Sequence, residues 1–295
     1  MLEASHFDAN EAYAAVDRHR LEDNEPYIYR TKDAGKTWQK ITAGLPAGVY
    51  MQTVKEDPKR RGLLVAGTEL GVFVSFDDGD QWQPLQLNLP PSSMRDLAFH
   101  DNDLIVATHG RGFWVLDDIS ALRQAGDAPS DEVRLFKPAD ALILPLPSDE
   151  GTPTQKDEPG AENPPTGAIV DYYLKTAAAG PLTIEILNAA GAMIRRYSSA
   201  DPAPAIDPAT LAVNAIWQRT QDPPSAAAGM HRFVWDLRPE APRDGRGRGG
   251  RGGGGGGGGR GGLPPVAPGA FSVKLTVNGK SFTQPLTVKP DPRER

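Results

Sequence analysis

The chain of 295 residues contains no cysteine. That excludes a disulfide framework and thiolate metal sites. No apolar run approaches the roughly 20 residues of a membrane-spanning helix, so no membrane partner is expected. The opening "MLEASHFDANEAY" has neither the basic start nor the apolar stretch of a signal peptide. No phosphate loop, nucleotide fingerprint, serine-nucleophile elbow or zinc motif occurs. His6 and His231 have no neighbours at metal-ligand spacing. Hence no cofactor and no metal are expected. Helical periodicity is also missing from the first 120 residues.

What is present is turn chemistry. The chain holds 32 Gly and 28 Pro, while 39% of it is hydrophobic; this is enough for packed cores but too many helix breakers for a helical protein. The net charge of −6 argues against a polyanion-binding role for the chain as a whole. Its length suits about two domains.

Residues 1–120 read as short strands rich in β-branched and aromatic residues, among them "YIYRT", "LLVAGT", "VFVSF", "LIVAT" and "FWVLD". The segment repeats. A slide of 41 residues lays "VAGTELGVFVSFDD" (65–78) on "VATHGRGFWVLDDI" (106–119), matching Val65 to Val106 and Val74 to Val115. A period of 41–44 residues holding four short strands is the size of one β-propeller blade. Three repeats are traced, at 3–41, 49–85 and 94–118, the third without a clear fourth strand.

Two of the repeats carry "TKDAGKTW" (31–38) and "SFDDGDQW" (75–82). Paired acids invite a catalytic reading, but both stretches fall between strands and so form hairpin turns. There Asp33 and Asp77 accept hydrogen bonds from the turn's own N–H groups. Gly35 and Gly79 supply positive φ. Trp38 and Trp82 pin the next strand by packing between blades. Thr31, Thr37 and Ser75 complete the pattern, whose every position thereby has a structural role.

This S/T-x-D-x-G-x-T-W pattern resembles the Asp-box, or BNR repeat, of sialidases, some xyloglucan-cleaving glycosidases and sortilin-type propellers. The first copy matches fully and the second departs at Gln81. The surrounding sequence is similar to large bacterial secreted BNR-repeat proteins labelled sortilin-like or "glycosyl hydrolases", whose C-terminal module has a like "GxHRFVWDLR … PGAFSVKLTVNG … DPR" pattern. The resemblance implies a longer parent chain supplying further blades, an extracytoplasmic location, and a C-terminal fragment in hand.

Residues 121–165 are Pro- and acid-rich and read as a linker. Strand patterns resume over 166–291, where "FSVKLTV" alternates cleanly and Asn278-Gly279 marks a hairpin. Trp235 suits the core of this part. Six or seven strands there predict an immunoglobulin-like sandwich. Between two of them lies a Gly/Arg tract, 243–262, expected to be a disordered insertion. The fold class is therefore all-β: about three propeller blades followed by a sandwich.

Strand order locates candidate chemistry. Turns joining strands two and three of each blade lie on the opposite rim from the Asp-boxes, together with the links between blades. That rim collects Arg18, His19, Arg20, Glu69, Arg95, His109 and Arg111. Clustered Arg and His suit carboxylate, sulfate or phosphate groups. Three functions compete. One is non-catalytic binding or scaffolding with a protein or glycan ligand. Another is the C-terminal portion of a glycosidase, which needs two convergent carboxylates, with Asp17, Glu69 and Asp96 as candidates and Tyr13 not clearly placed as a sialidase nucleophile. The last is RGG-type nucleic-acid binding by Arg243, Arg246, Arg248, Arg251 and Arg260, disfavoured because the tract has no aromatic for stacking.

Overall fold

The computed structural model describes residues 1–126, 132–144, 164–203, 221–240 and 263–293. The Gly/Arg tract and most of the expected linker lie outside these. The chain divides into two compact units, 1–129 and 130–295.

The first unit is three antiparallel sheets. Blade 1 comprises β1 (Leu2–Ala4), β2 (Ala12–Ala15), β3 (Ile28–Thr31) and β4 (Gln39–Lys40). Blade 2 comprises β5 (Met51–Glu56), β6 (Leu64–Thr68), β7 (Val72–Ser75) and β8 (Gln83–Pro84). In both, each strand pairs with its sequence neighbours. Blade 3 has three strands, β9 (Met94–His100), β10 (Asp103–Thr108) and β11 (Phe113–Leu116).

Period-2 alternation gives each blade two faces. Tyr13, Ala15, Ile28 and Ile41 of blade 1 pack against Val54, Leu64, Ala66 and Trp82 on the rear face of blade 2. The front face of blade 2, with Leu63, Val65, Val72 and Val74, packs against Met94, Leu97, Leu104 and Val106 of blade 3. Blade 2 is thus covered on both sides, which explains why every residue of β6 is buried.

The 41-residue slide needs correction. Val65 pairs with Val74, whereas Val106 pairs with Trp114 and it is Ile105 that pairs with Val115. The true offset is 40 on β10 and 41 on β11. One extra residue sits in the 109–112 turn, where Thr108 takes the place of Thr68. The hydroxyl and N–H of Thr68 both donate to the Gly71 carbonyl, and those of Thr108 to the Gly112 carbonyl. A one-residue slip reverses which face a side chain occupies. Consequently Val106 packs on blade 2 while Val65 packs on blade 3.

The stretch read as linker also contains ordered elements. A helix α1 (Ser120–Ala125) follows blade 3. Arg60 Nη1 donates to its Leu122 and Arg123 carbonyls, and Arg123 Nε donates to the buried Asp57 at 2.8 Å. Six residues are too few for a helical period to register in sequence. Two short strands of the second unit, β12 (Val133–Leu135) and β13 (Ala141–Leu142), also fall there.

The second unit is a two-sheet sandwich. One sheet has the order β12-β14-β17, with β14 (Ala168–Leu174) and β17 (Gly229–Trp235). The other has the order β13-β19-β18-β15-β16, adding β15 (Thr183–Asn188), β16 (Met193–Ser198), β18 (Gly269–Val277) and β19 (Lys280–Lys289). Trp235, Val170 and Tyr172 from one sheet meet Ile184, Val273 and Leu275 from the other in a single core. Burial pushes the Tyr172 hydroxyl up to about 12. Asn278 and Gly279 both take positive φ at the β18–β19 hairpin, as that turn requires.

Candidate functional site

Alternation of strand direction gives the blade sheets two ends. At one end lie the turns 32–38 and 76–82. At the other lie the 16–27 connection, the links between blades, and the turns 69–71 and 109–112.

At the first end, acids are consumed by their own turns. Asp33 Oδ1 accepts the Thr37 N–H at 2.8 Å and the Thr31 hydroxyl at 2.9 Å, while Oδ2 accepts the Thr37 hydroxyl at 2.7 Å. These bonds, led by that from the Thr37 hydroxyl, hold the Asp33 carboxyl below the usual carboxylate range. Asp77 Oδ1 accepts the Ser75 hydroxyl at 2.7 Å and the Gln81 N–H at 2.9 Å. Thr31 and Ser75 in turn accept the N–H groups of Gly35 and Gly79. Ala34-Gly35 and Asp78-Gly79 are consecutive residues at positive φ.

The two tryptophans part company. Trp82 is buried, its Nε1 donating to the Ile41 carbonyl and its N–H to the Ala43 carbonyl, both at 2.9 Å. The link passes so close that a Cβ on Gly44 would strike the Trp82 backbone. Trp38 is instead exposed.

Sequence reasoning missed the centre of this end, which is Asp78. Its Oδ1 accepts the Tyr13 hydroxyl at 2.6 Å, and Oδ2 meets Arg30 Nη1 at 2.8 Å and Lys32 Nζ at 2.6 Å. Burial alone would raise the Asp78 carboxyl. Hydrogen bonds from Lys32 and Tyr13 and the Arg30 charge outweigh it and lower it instead. Burial together with the Asp78 hydrogen bond drives the Tyr13 phenol far up, which is the opposite of what a nucleophilic tyrosine needs. The signal was present, since "SFDDG" carries one acid more than the turn consumes.

The other end gathers the expected ligand face. Arg18 Nη1 pairs with Asp23 at 3.0 Å, and its guanidinium lies 5.6 Å from the Tyr27 ring. His19 starts a short 3-10 turn (His19–Leu21), holds Asp17 at 2.6 Å through Nδ1 and stacks on Tyr50 at 4.5 Å. The Tyr50 carbonyl accepts the Glu69 N–H, so blade 1, the first link and blade 2 meet here. In blade 3 the His109 N–H donates to the Ser93 carbonyl, and the Ser92 hydroxyl to the His109 carbonyl. The structure thus ties His19 to Glu69 and His109 to the second link. Arg20, Arg95 and Arg111 are exposed. Arg20 lies near Asp17 and contributes to its field. The Arg95 and Arg111 guanidiniums make no hydrogen bond or ion pair among the described residues. The turn before Arg111 is held by the Trp114 indole, which donates to the Arg111 carbonyl at 3.1 Å.

Here too are polar atoms with unmet bonding capacity. Gln52 Nε2, Glu69 Oε2 and Ser93 Oγ are buried and lack a hydrogen-bond partner among the described residues. Gln52 sits at a bulge between Met51 and Thr53, and Glu69 and Ser93 lie in the turn and link of the same end. Of the carboxylates considered for catalysis, Asp17 is engaged by His19, and Asp96 Oδ1 by its neighbouring Leu97 N–H.

No known protein family matches the chain, and no curated protein does. Among solved structures, an ancestral GH74 enzyme aligns with 23% identity and a TM-score of 0.32, over 38% of this chain and 13% of its own. A structure of YCF48 bound to D1 peptide aligns with 19% identity and a TM-score of 0.29, over 39% of this chain and 35% of its own. The chain therefore spans well under two thirds of either. Among the described residues, no group of three or more acids or histidines gathers as a metal site, and no helix is long and apolar enough to cross a membrane.

Proposed function

We propose that the chain is a non-catalytic binding and scaffolding part of a secreted or periplasmic Asp-box protein, and that it holds a protein or glycan ligand by acidic groups at the rim of Arg18, His19, Arg95, His109 and Arg111. The observation that carries this reading is the contrast in bonding capacity between the ends of the sheets. At one end Asp33, Asp77 and Asp78 are closed by their neighbours. At the other, Gln52, Glu69 and Ser93 keep buried atoms without a partner among the described residues, and the Arg95 and Arg111 side chains are exposed. Unpaired buried polar atoms are costly in isolation and are satisfied by a ligand or ordered water. Guanidinium hydrogen bonds to carboxylate or sulfate are charge-assisted and bidentate.

The test is calorimetric titration of the full chain with sialylated and sulfated oligosaccharides and with acidic peptides. Arg111→Ala and Arg95→Ala are each expected to weaken binding about tenfold or more, the loss of a charge-assisted hydrogen bond. Asp33→Asn should leave affinity unchanged. Binding that ignores both arginines, or no binding to any acidic probe, would overturn the reading.

A further inference from the structure

Blade 2 buries a tryptophan that blade 3 lacks. Trp82 closes its Asp-box turn among Ile41, Leu64 and Ala66, with Leu45 and Phe73 packed against that cluster. Its indole donates to the Ile41 carbonyl. Val74 and Val115 are counterparts, fixed by their pairings with Val65 and Ile105. At that register Leu116, Ser120 and Arg123 stand where blade 2 has Ser75, Gly79 and Trp82. The chain leaves β11 for α1, where Arg123 engages Asp57, and makes no fourth strand. The surroundings of a tryptophan are nevertheless present. Leu104, Val106 and Trp114 match Leu64, Ala66 and Phe73. Leu85 matches Ile41, since their N–H groups donate to the Val72 and Ile28 carbonyls, and Leu89 matches Leu45, since theirs donate to Gln86 and Thr42. These five residues and Leu116 line an open apolar pocket within the first unit. The Leu85 carbonyl, counterpart of the one that Trp82 uses, accepts no hydrogen bond among the described residues. Gly44 is bare because a Cβ would strike the Trp82 backbone, whereas its counterpart Asn88 carries a side chain at the pocket wall.

We infer that this pocket takes a tryptophan carried on an extended segment of a partner protein. The ring fills the place in blade 3 that Trp82 fills in blade 2, and its N–H donates to the Leu85 carbonyl. In blade 2 the two residues after Trp82 form β8 and pair with β7. Those after the partner's tryptophan pair likewise with β11, adding a strand by main-chain hydrogen bonds while the pocket supplies side-chain specificity. Burial of a whole indole is the driving force. A second copy does not offer such a segment among the described residues: its exposed Trp38 is followed by β4, already paired with β3. The pocket arises from the chain's own turn into α1, not from an end of the sequence. None of its residues belongs to the cationic rim, so it stands apart from the ligand reading.

Titration of the full chain with a synthetic peptide GKTWQK, the sequence of residues 35–40, tests it. Its tryptophan is fluorinated and followed by fluorine NMR, and its positive charge keeps it from the arginines. The peptide should bind, and its Trp→Ala counterpart at least about tenfold more weakly. Free indole should compete but bind more weakly than the peptide, since it brings no strand. Val106→Phe fills the pocket from its floor and should abolish binding. Leu87 also lines the pocket, is exposed and sits at φ 44°, which Asn accepts, so Leu87→Asn should stay folded by circular dichroism and weaken binding about threefold or more. A peptide that binds no better than its alanine form would overturn the inference. So would binding that both variants leave intact, indole that binds as tightly as the peptide, or self-association of the wild-type chain that Leu87→Asn removes, which would assign the pocket to a second copy.

Discussion

The two ends of the blade sheets use the same kinds of residue to opposite effect. At the 32–38 and 76–82 turns, charge is spent on architecture: each acid meets hydroxyls, amides or cations, and Asp78 joins two blades. At the end with the 69–71 and 109–112 turns, arginines face solvent and polar atoms stay unmatched. Motif density is therefore a poor guide to chemistry. The conspicuous repeat marks the end where the turn acids are already engaged.

Substitutions can break or sharpen this contrast. The largest effect is expected from Trp82→Ala, which empties the blade 1–blade 2 core and should cost about 3–5 kcal/mol in chemical denaturation. The same change at the exposed Trp38 should cost less than about 1 kcal/mol. Next comes Asp78→Ala, which removes the carboxylate shared by Tyr13, Arg30 and Lys32 while leaving Arg30 its bonds to Asp80 and Gln39, and should cost about 2–3 kcal/mol. If Arg111→Ala destabilised as much, the distinction between the ends would fail.

A pH titration reaches the same group without mutation. The Asp78 carboxyl is lowered from 3.8 in the folded chain. Its stabilising contribution is therefore complete above 3.8 and is lost as pH falls through the folded value below that. Melting temperature against pH should drop more steeply there for the wild type than for Asp78→Asn. Smaller again are Asp33→Ala and Asp77→Ala, each removing local turn bonds for about 1–2 kcal/mol. Smallest is Arg95→Ala, within about 0.5 kcal/mol on melting.

Much of this was legible in the residues. Alternation, turn residues and the repeat lead to three sheets and a sandwich, and strand order alone places His19, Glu69 and His109 at one end. What escaped did so for physical reasons. A single slide assumes equal hairpins, but blade 3 inserts one residue between β10 and β11. Between Ala15 and Ile28 blade 1 has twelve residues where blade 2 has four between Gly67 and Val72, eight more. Asp78 was hidden because its partners, Tyr13 and Arg30, lie 65 and 48 residues away, beyond any local pattern. Trp82 and Trp38 differ in what packs on the ring, which a motif does not encode. The helix α1 and strands β12 and β13 are shorter than the windows in which periodicity can be read.

The hairpin rings at Thr68 and Thr108 bear on how such a scaffold changes over time. Each threonine seals its strand end with two bonds to the glycine beyond the turn, so the residues enclosed can vary in number without disturbing the sheet beneath. The opposite turns enjoy no such latitude: Arg30 to Gln39 and Val74 to Gln83 are paired across equal lengths of chain. New segments grafted between Thr108 and Gly112 should therefore be accepted, which makes that corner the natural place to write a new specificity into the molecule.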